Sequence, residues 1–157
     1  MTNQNPLLTT TCLMLRVAKA HRVLVNAALT NVNLHIGQEI LLMELWQEDG
    51  LTQTQLADRL SIEPPTLTKM LSRLEKTKLL KKYKDTQDAR ICRVFLTEKG
   101  SACQKSVTDL WLDLDETILA NLSSEERLLF RRFLIQIYDN LESAKQSQSS
   151  TKNFADN

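Results

Sequence analysis

The sequence predicts a mainly α chain of α+β type, with about six helices and a two- to three-stranded wing arranged as a winged helix-turn-helix. Three observations predict it. Between Leu51 and Gly100 the chain reads as two short amphipathic helices, two short strands joined by a charged turn, and a helix start. That is the element order of the module. The same stretch is basic: Arg59 to Lys99 holds eleven Lys/Arg and five Asp/Glu, a net of +6, while the remainder of a chain of net +1 carries −5. Only three glycines and three prolines occur in 157 residues, which favours long helices over a sheet with many turns.

Residues 1–8 read as frayed. From Thr9 to Leu29, apolar residues recur at helical spacing (Leu13, Val17, Ala20, Leu24, Ala27), predicting a long first helix that ends near Thr30-Asn31. A second helix runs from about Ile36 through Trp46. Its apolar positions Ile40, Leu41, Met43, Leu45 and Trp46 cover much of its circumference, so it packs deeply, and Asp49-Gly50 closes it. Thr52 and Gln55 have capping-box spacing at the start of TQLADRL, with Leu56, Ala57 and Leu60 inward. Ser61-Ile62 form the turn. Pro64-Pro65 mark the next helix, and because a residue before proline avoids the α region, its start is placed at Pro65. It runs to about Thr77 with Leu67, Met70, Leu71 and Leu74 inward. Leu79–Lys84 and Ile91–Leu96 are the strands, and DTQDAR is the tip between them. Thr97 caps a helix from Glu98 to about Leu119, with Val107, Leu110, Trp111, Leu114 and Ile118 on one side. Ser123 with Glu126 opens a last helix through about Leu141, and the Ser/Gln-rich end reads as disordered.

These elements divide the chain into an N-terminal dimerisation helix (1–33), a DNA-binding domain (34–100), C-terminal dimerisation helices (101–143) and a polar tail (144–157). The outer helices are more apolar than a small winged core requires. Pairing with a second copy buries the same stripe from both chains, predicting an obligate homodimer through the N- and C-terminal helices.

The solvent side of the second short helix carries Thr66, Thr68, Lys69, Ser72, Arg73 and Lys76. Small hydroxyls near the helix start and long cations beyond suit a helix set end-on in the major groove of double-stranded DNA. Arg90 at the hairpin tip is placed to enter a narrow minor groove, and Asp88, two residues before it, reads equally as its support or as a plain turn-former. An enzyme has little to stand on: no paired acid/base constellation, phosphate loop, nucleophile motif or metal spacing, and no cofactor site. Cys12, Cys92 and Cys103 with His21 and His35 give neither a zinc set nor a Cys/His nucleophile. No apolar run approaches the ~20 residues of a membrane span, and the start of the chain is a poor signal peptide, so a cytoplasmic protein is expected. A winged-helix module for protein interaction, without DNA, would present an apolar or acidic face, against which Lys69, Arg73 and Lys76 argue.

Together LTQTQLADRLSIEPPTLTKMLSRLEK, DTQDAR and VFLTEKG resemble the MarR family of bacterial transcriptional regulators over roughly Ile36–Gly100. The most specific part is Asp88-x-Arg90 followed by Leu96-Thr97-Glu98-Lys99-Gly100. The resemblance implies a homodimer on a pseudo-palindromic operator, usually a repressor, released when a small ligand or an oxidant changes the spacing of its lobes. It places recognition contacts on Pro65, Thr66, Thr68, Lys69, Ser72 and Arg73, the wing arginine on Arg90, and support on Thr52, Thr54 and Gln55. One residue departs from the pattern: Lys78 stands where such proteins usually have glycine. A non-glycine residue in a left-handed cap costs on the order of 1 kcal/mol, so an altered helix end and a shifted start of the strand at Leu79 are expected.

The signal is less legible. In relatives that bind aromatic or phenolic acids, the pocket lies between the dimer helices and the winged domain. Arg16, His21, His35 and Trp46 are candidates here, since an acid needs a cationic or N–H partner beside an apolar wall. Core packing for Trp46 and helix capping for His35 are the stronger readings. A redox alternative rests on Cys12, which lies near where peroxide-sensing relatives keep a reactive cysteine. Those relatives polarise the thiolate with tyrosines, whereas Tyr83 and Tyr138 lie elsewhere, so Cys12 reads rather as a packed, inert thiol.

Overall fold

The computed structural model describes residues 9–155, with side chains through residue 147. The expectations for residues 1–8, 156 and 157 lie outside these. Among the described residues there are seven helices and one sheet: α1 (Thr10–Thr30), α2 (Gln38–Gln47), α3 (Gln53–Leu60), α4 (Pro64–Lys76), β1 (Leu80–Lys84), β2 (Cys92–Leu96), α5 (Glu98–Ala102), α6 (Gln104–Ile118) and α7 (Ser124–Ala155). The chain falls into two compact units, the first ending at Leu114 and the second beginning at Asp115.

Leucines build the first unit. Leu41, Leu42 and Leu45 of α2, Leu56 of α3, Leu67, Leu71 and Leu74 of α4, and Leu80 and Val94 of the wing are all buried together. Val25 and Leu29 of α1 and Val107 and Leu114 of α6 join them. The core therefore extends on both sides of residues 34–100.

The turns after α1, α3 and α4 share one device. Asn33, Ser61 and Lys78 adopt φ of 56°, 51° and 60°. Each lets the following N–H bond a carbonyl five residues back: Leu34 to Leu29, Ile62 to Ala57, and Leu79 to Leu74. This closes the helix end and turns an apolar side chain back to the core.

The wing is antiparallel, from Leu80 opposite Leu96 to Lys84 opposite Cys92. A third segment extends it, since Gly50 and Leu51 exchange backbone hydrogen bonds with Val94 and Thr52 bridges to Arg93. Gly50 has φ 78°, and a Cβ there would meet the Phe95 ring at 2.8 Å, so the turn requires glycine.

Several elements differ from the sequence reading. The strand expected from Leu79 begins one residue later, at Leu80, and the one expected from Ile91 begins at Cys92. The helix expected from Pro65 begins at Pro64, with both prolines in its first two positions and Glu63 supplying the extended N-cap. Pro64 is helical although a proline follows it, and neither proline costs a helical hydrogen bond, because the N–H groups of the first turn have no partner within the helix. The long helix from Glu98 breaks at Cys103 into α5 and α6. The last helix does not stop near Leu141 but continues through Ala155. Neither Gly nor Pro interrupts it, and Ser143 and Ser147 return their hydroxyls to carbonyls four residues back. Lys78 takes the left-handed conformation that glycine would, so α4 does not end differently.

In the second unit Asn121, at φ 66°, turns the chain toward α7. Ser123 and Glu126 form the expected capping box. Arg127 holds both carboxylate oxygens of Glu116 and the Leu122 carbonyl.

Candidate nucleic-acid interface

The capping box expected at α3 is present: the Thr52 hydroxyl accepts from Gln55 N–H at 3.1 Å, and Gln55 Oε1 accepts from Thr52 N–H at 2.9 Å. Arg59 ties the far end of α3 to Glu44 and Glu48 of α2 and its C-cap. With α3 fixed, α4 is fixed by Leu67, Leu71 and Leu74, which its 3.6-residue period sends to the core. The same period turns Pro65, Thr66, Thr68, Lys69, Arg73 and Lys76 to solvent and leaves Ser72 half-buried. Among the described residues no carboxylate pairs with Lys69, Arg73 or Lys76, so their charge is available. Thr68 donates its hydroxyl to the Pro64 carbonyl at 2.9 Å, which leaves its oxygen as an acceptor. Pro65 offers no N–H.

At the wing tip Asp88 grips Arg90 with two oxygens: Nε donates to Oδ1 at 3.0 Å and Nη2 to Oδ2 at 2.9 Å. The arginine remains 91% exposed, an oriented cation projecting from the hairpin. Its guanidinium holds the Asp88 carboxyl below the usual carboxylate range, helped by the Arg90 backbone N–H. Behind the tip, Asp85 accepts from the backbone N–H groups of Gln87 and Asp88 and from Arg93 Nε. Arg93 first, then the two amides, pull its carboxyl down to about 2. Arg93 Nη1 in turn donates to the Gly50 carbonyl at 3.0 Å. A cleft of about 380 Å³ between the wing and the start of α3 is lined by Thr52, Gln53, Thr54, Arg90, Ile91 and Cys92.

Asp85 and Arg93 are functional candidates that the sequence reading missed. A signal existed: the strand alternation of β2 sends Arg93 away from the face of buried Val94, and Asp85 directly follows β1. The reach of Arg93 back to Gly50, 43 residues earlier, has no local signature.

The far side of α4 is pinned by the segment after β2. Thr97 caps α5 by accepting from Gly100 N–H and donates its hydroxyl to the Lys78 carbonyl at 2.7 Å. Lys99 Nζ donates to the Thr77 carbonyl at 2.9 Å. These bonds hold Lys78 in its strained conformation.

The effector candidates are dispersed in role. Trp46 donates its indole N–H to the Gly100 carbonyl at 3.0 Å. His35 is exposed before α2, and its backbone N–H is accepted by Gln38 Oε1. Arg16 is exposed on α1, and half-buried His21 lies 6.3 Å from the Trp111 ring. Cys12 is half-buried in the first turn of α1. Among the described residues, no cluster of three metal-capable side chains occurs, and no helix is long and apolar enough to cross a membrane.

Comparison with known proteins adds an independent line. The profile of the MarR family matches residues 35–92. The transcriptional regulator AdcR of Streptococcus pyogenes serotype M6 is 32% identical over 133 residues, covering 83% of this chain and 90% of that one. The HTH-type transcriptional regulator TtmR of Methylorubrum extorquens is 32% identical over 97 residues, and the match spans 55% of this chain and half of that one. Among solved structures, the MepR–DNA complex of S. aureus superposes with a TM-score of 0.76 at 27% identity, covering 84% of this chain and 98% of that one.

Proposed function

The chain belongs to the MarR family, and from that premise we propose that it is a sequence-specific transcriptional repressor, not an enzyme, that binds a pseudo-palindromic operator as a homodimer in the cytoplasm. The observation that carries the reading is the pairing of one exposed, uncompensated basic helix face with an arginine held outward on the adjacent hairpin. Thr66, Thr68, Lys69, Ser72, Arg73 and Lys76 of α4 meet base edges and phosphates in the major groove. Arg90 reaches the neighbouring minor groove, where a cation is attracted most strongly when the groove is narrow. Thr52, Thr54 and Gln55 at the start of α3 meet the phosphate backbone, the helix N-terminus favouring an anion. The MepR–DNA complex supports the reading through a relative of the same fold. A pair of protomers sets two recognition helices about one helical turn apart, as a palindromic site demands.

Fluorescence anisotropy tests this at near-physiological salt, comparing a duplex enriched from a random library with a scrambled one. A preference of ~10³-fold or more is expected. Arg90→Ala should weaken binding to both duplexes and lower the salt slope by about 1, whereas Arg73→Ala should change which bases are preferred. Failure of any duplex to be enriched would overturn the reading.

A further inference from the structure

We infer that Arg93 and Asp85 are positioning residues for DNA binding: together they form a clamp that fixes the wing arginine relative to α3. The inference rests on the DNA-binding reading and goes beyond it, since neither side chain projects into solvent as that of Arg90 does. A hairpin tip bearing a 91% exposed arginine would sample many directions unless its backbone were held. Asp88 orients Arg90, but Asp88 needs an anchor of its own. Asp85 supplies it. One carboxylate oxygen accepts the Gln87 and Asp88 amides at 2.8 and 3.1 Å, and the other accepts Arg93 Nε. The turn is closed by Asp85 N–H on the Ile91 carbonyl and Ile91 N–H on the Asp88 carbonyl, both at 2.9 Å.

Arg93 carries the constraint inward. Its Nη1 bonds the Gly50 carbonyl, and its backbone bridges to Thr52, the N-cap of α3. The connection therefore runs from Arg90 through Asp88, Asp85 and Arg93 to the start of the helix-turn-helix. Arg93 is a poorer phosphate ligand than Arg90, because its side chain is 39% exposed rather than 91% and it also gives Nη1 to the Gly50 carbonyl. What the clamp contributes is preorganisation: the wing does not have to be ordered at the moment of binding.

Two measurements on the full chain test it. Amide hydrogen exchange should be faster at Gln87 and Asp88 in Arg93→Ala and in Asp85→Asn, with exchange at core amides such as Leu71 unchanged. On the enriched duplex, Arg93→Ala should weaken binding roughly tenfold, but by less than about threefold when Arg90 is already alanine, because the two residues act as a unit. Arg93→Lys should recover only part of the affinity, lacking the planar fork. Unchanged exchange at the tip would overturn the clamp. Faster exchange with fully additive losses and a lower salt slope would make Arg93 a phosphate contact and overturn the positioning role. A loss accompanied by faster exchange throughout the core would make it merely structural. Absence of sequence preference in the unaltered protein would sink the DNA-binding reading instead, leaving the clamp to be judged by exchange.

Discussion

Glu39 is 1% exposed on α2, and its Oε2 has no hydrogen-bond partner. Burial pushes its carboxyl above the ordinary 4.5, opposed by the N–H groups of Glu39 and Gly37. Below the unfolded-state value both states are protonated. As pH rises past it the unfolded chain releases the proton and the folded chain keeps it, so stability falls until the raised folded value is reached. The cost is about 1.4 kcal/mol for each unit by which folding raises the carboxyl. Glu39→Gln should therefore be the more stable protein at neutral pH, with the gap narrowing toward pH 4, as read by urea unfolding across that range. A gap independent of pH would show that the buried acid does not titrate differently on folding. Gly100 gives a test of the opposite sign. A Cβ there would lie 1.9 Å from the Leu79 carbonyl oxygen, and backbone cannot move aside as a side-chain end can. Gly100→Ala should cost on the order of 2 kcal/mol, lowering the midpoint in the same unfolding assay. An unchanged midpoint would mean that the contact between α5 and Leu79, just before β1, is loose.

The end of α4 shows what could be read from sequence and what could not. The bonds from Leu79 N–H to Leu74 and from Lys78 N–H to Glu75 complete a left-handed cap although its central residue is lysine. The strain at Lys78 was legible; its outcome was not, because Thr97, 19 residues later, holds the Lys78 carbonyl. Lys78→Gly should stabilise the protein by up to ~1 kcal/mol, and a loss of stability would show that the lysine side chain contributes more than its backbone costs. The same division holds for the other elements. The boxes at Thr52–Gln55 and Ser123–Glu126 were readable because a capping box is local, and the inward faces of α3 and α4 because helical period is local. The pairing of Gly50–Thr52 with β2 and the Arg93 bond to Gly50 were not, since they join segments more than 40 residues apart. The continuation of α7 past Leu141 was missed because polar composition argues against a core, not against a helix, and residues 143–147 are exposed.

At the scale of the molecule, the remaining question is what covers the apolar side chains that the single chain leaves in water. On α7, Leu128, Phe133, Ile135, Tyr138 and Leu141 are each at least half exposed, and on α1 so are Leu15, Val17 and Val23. Exposed apolar residues scattered singly are normal, but runs along two helices mark a surface meant for a partner. A second copy is the economical partner, since two-fold pairing covers the same stripe on both chains at once. Leu128 and Ile135 lie seven residues apart on one face of α7 and belong to the second unit, so aspartate at both should spare the fold of the first. The unaltered protein should sediment at twice the 18.0 kDa chain mass and the Leu128→Asp, Ile135→Asp variant at once that mass. Affinity for a full palindrome should then fall by ~10²-fold or more, because the second half-site loses the effective concentration that linkage supplies. Affinity for a single half-site should stay the same, since α4 and Arg90 are untouched. A variant that remains dimeric would move the interface off α7. Equal loss on the half-site and the palindrome would instead mean that the two aspartates had damaged the DNA-binding unit itself.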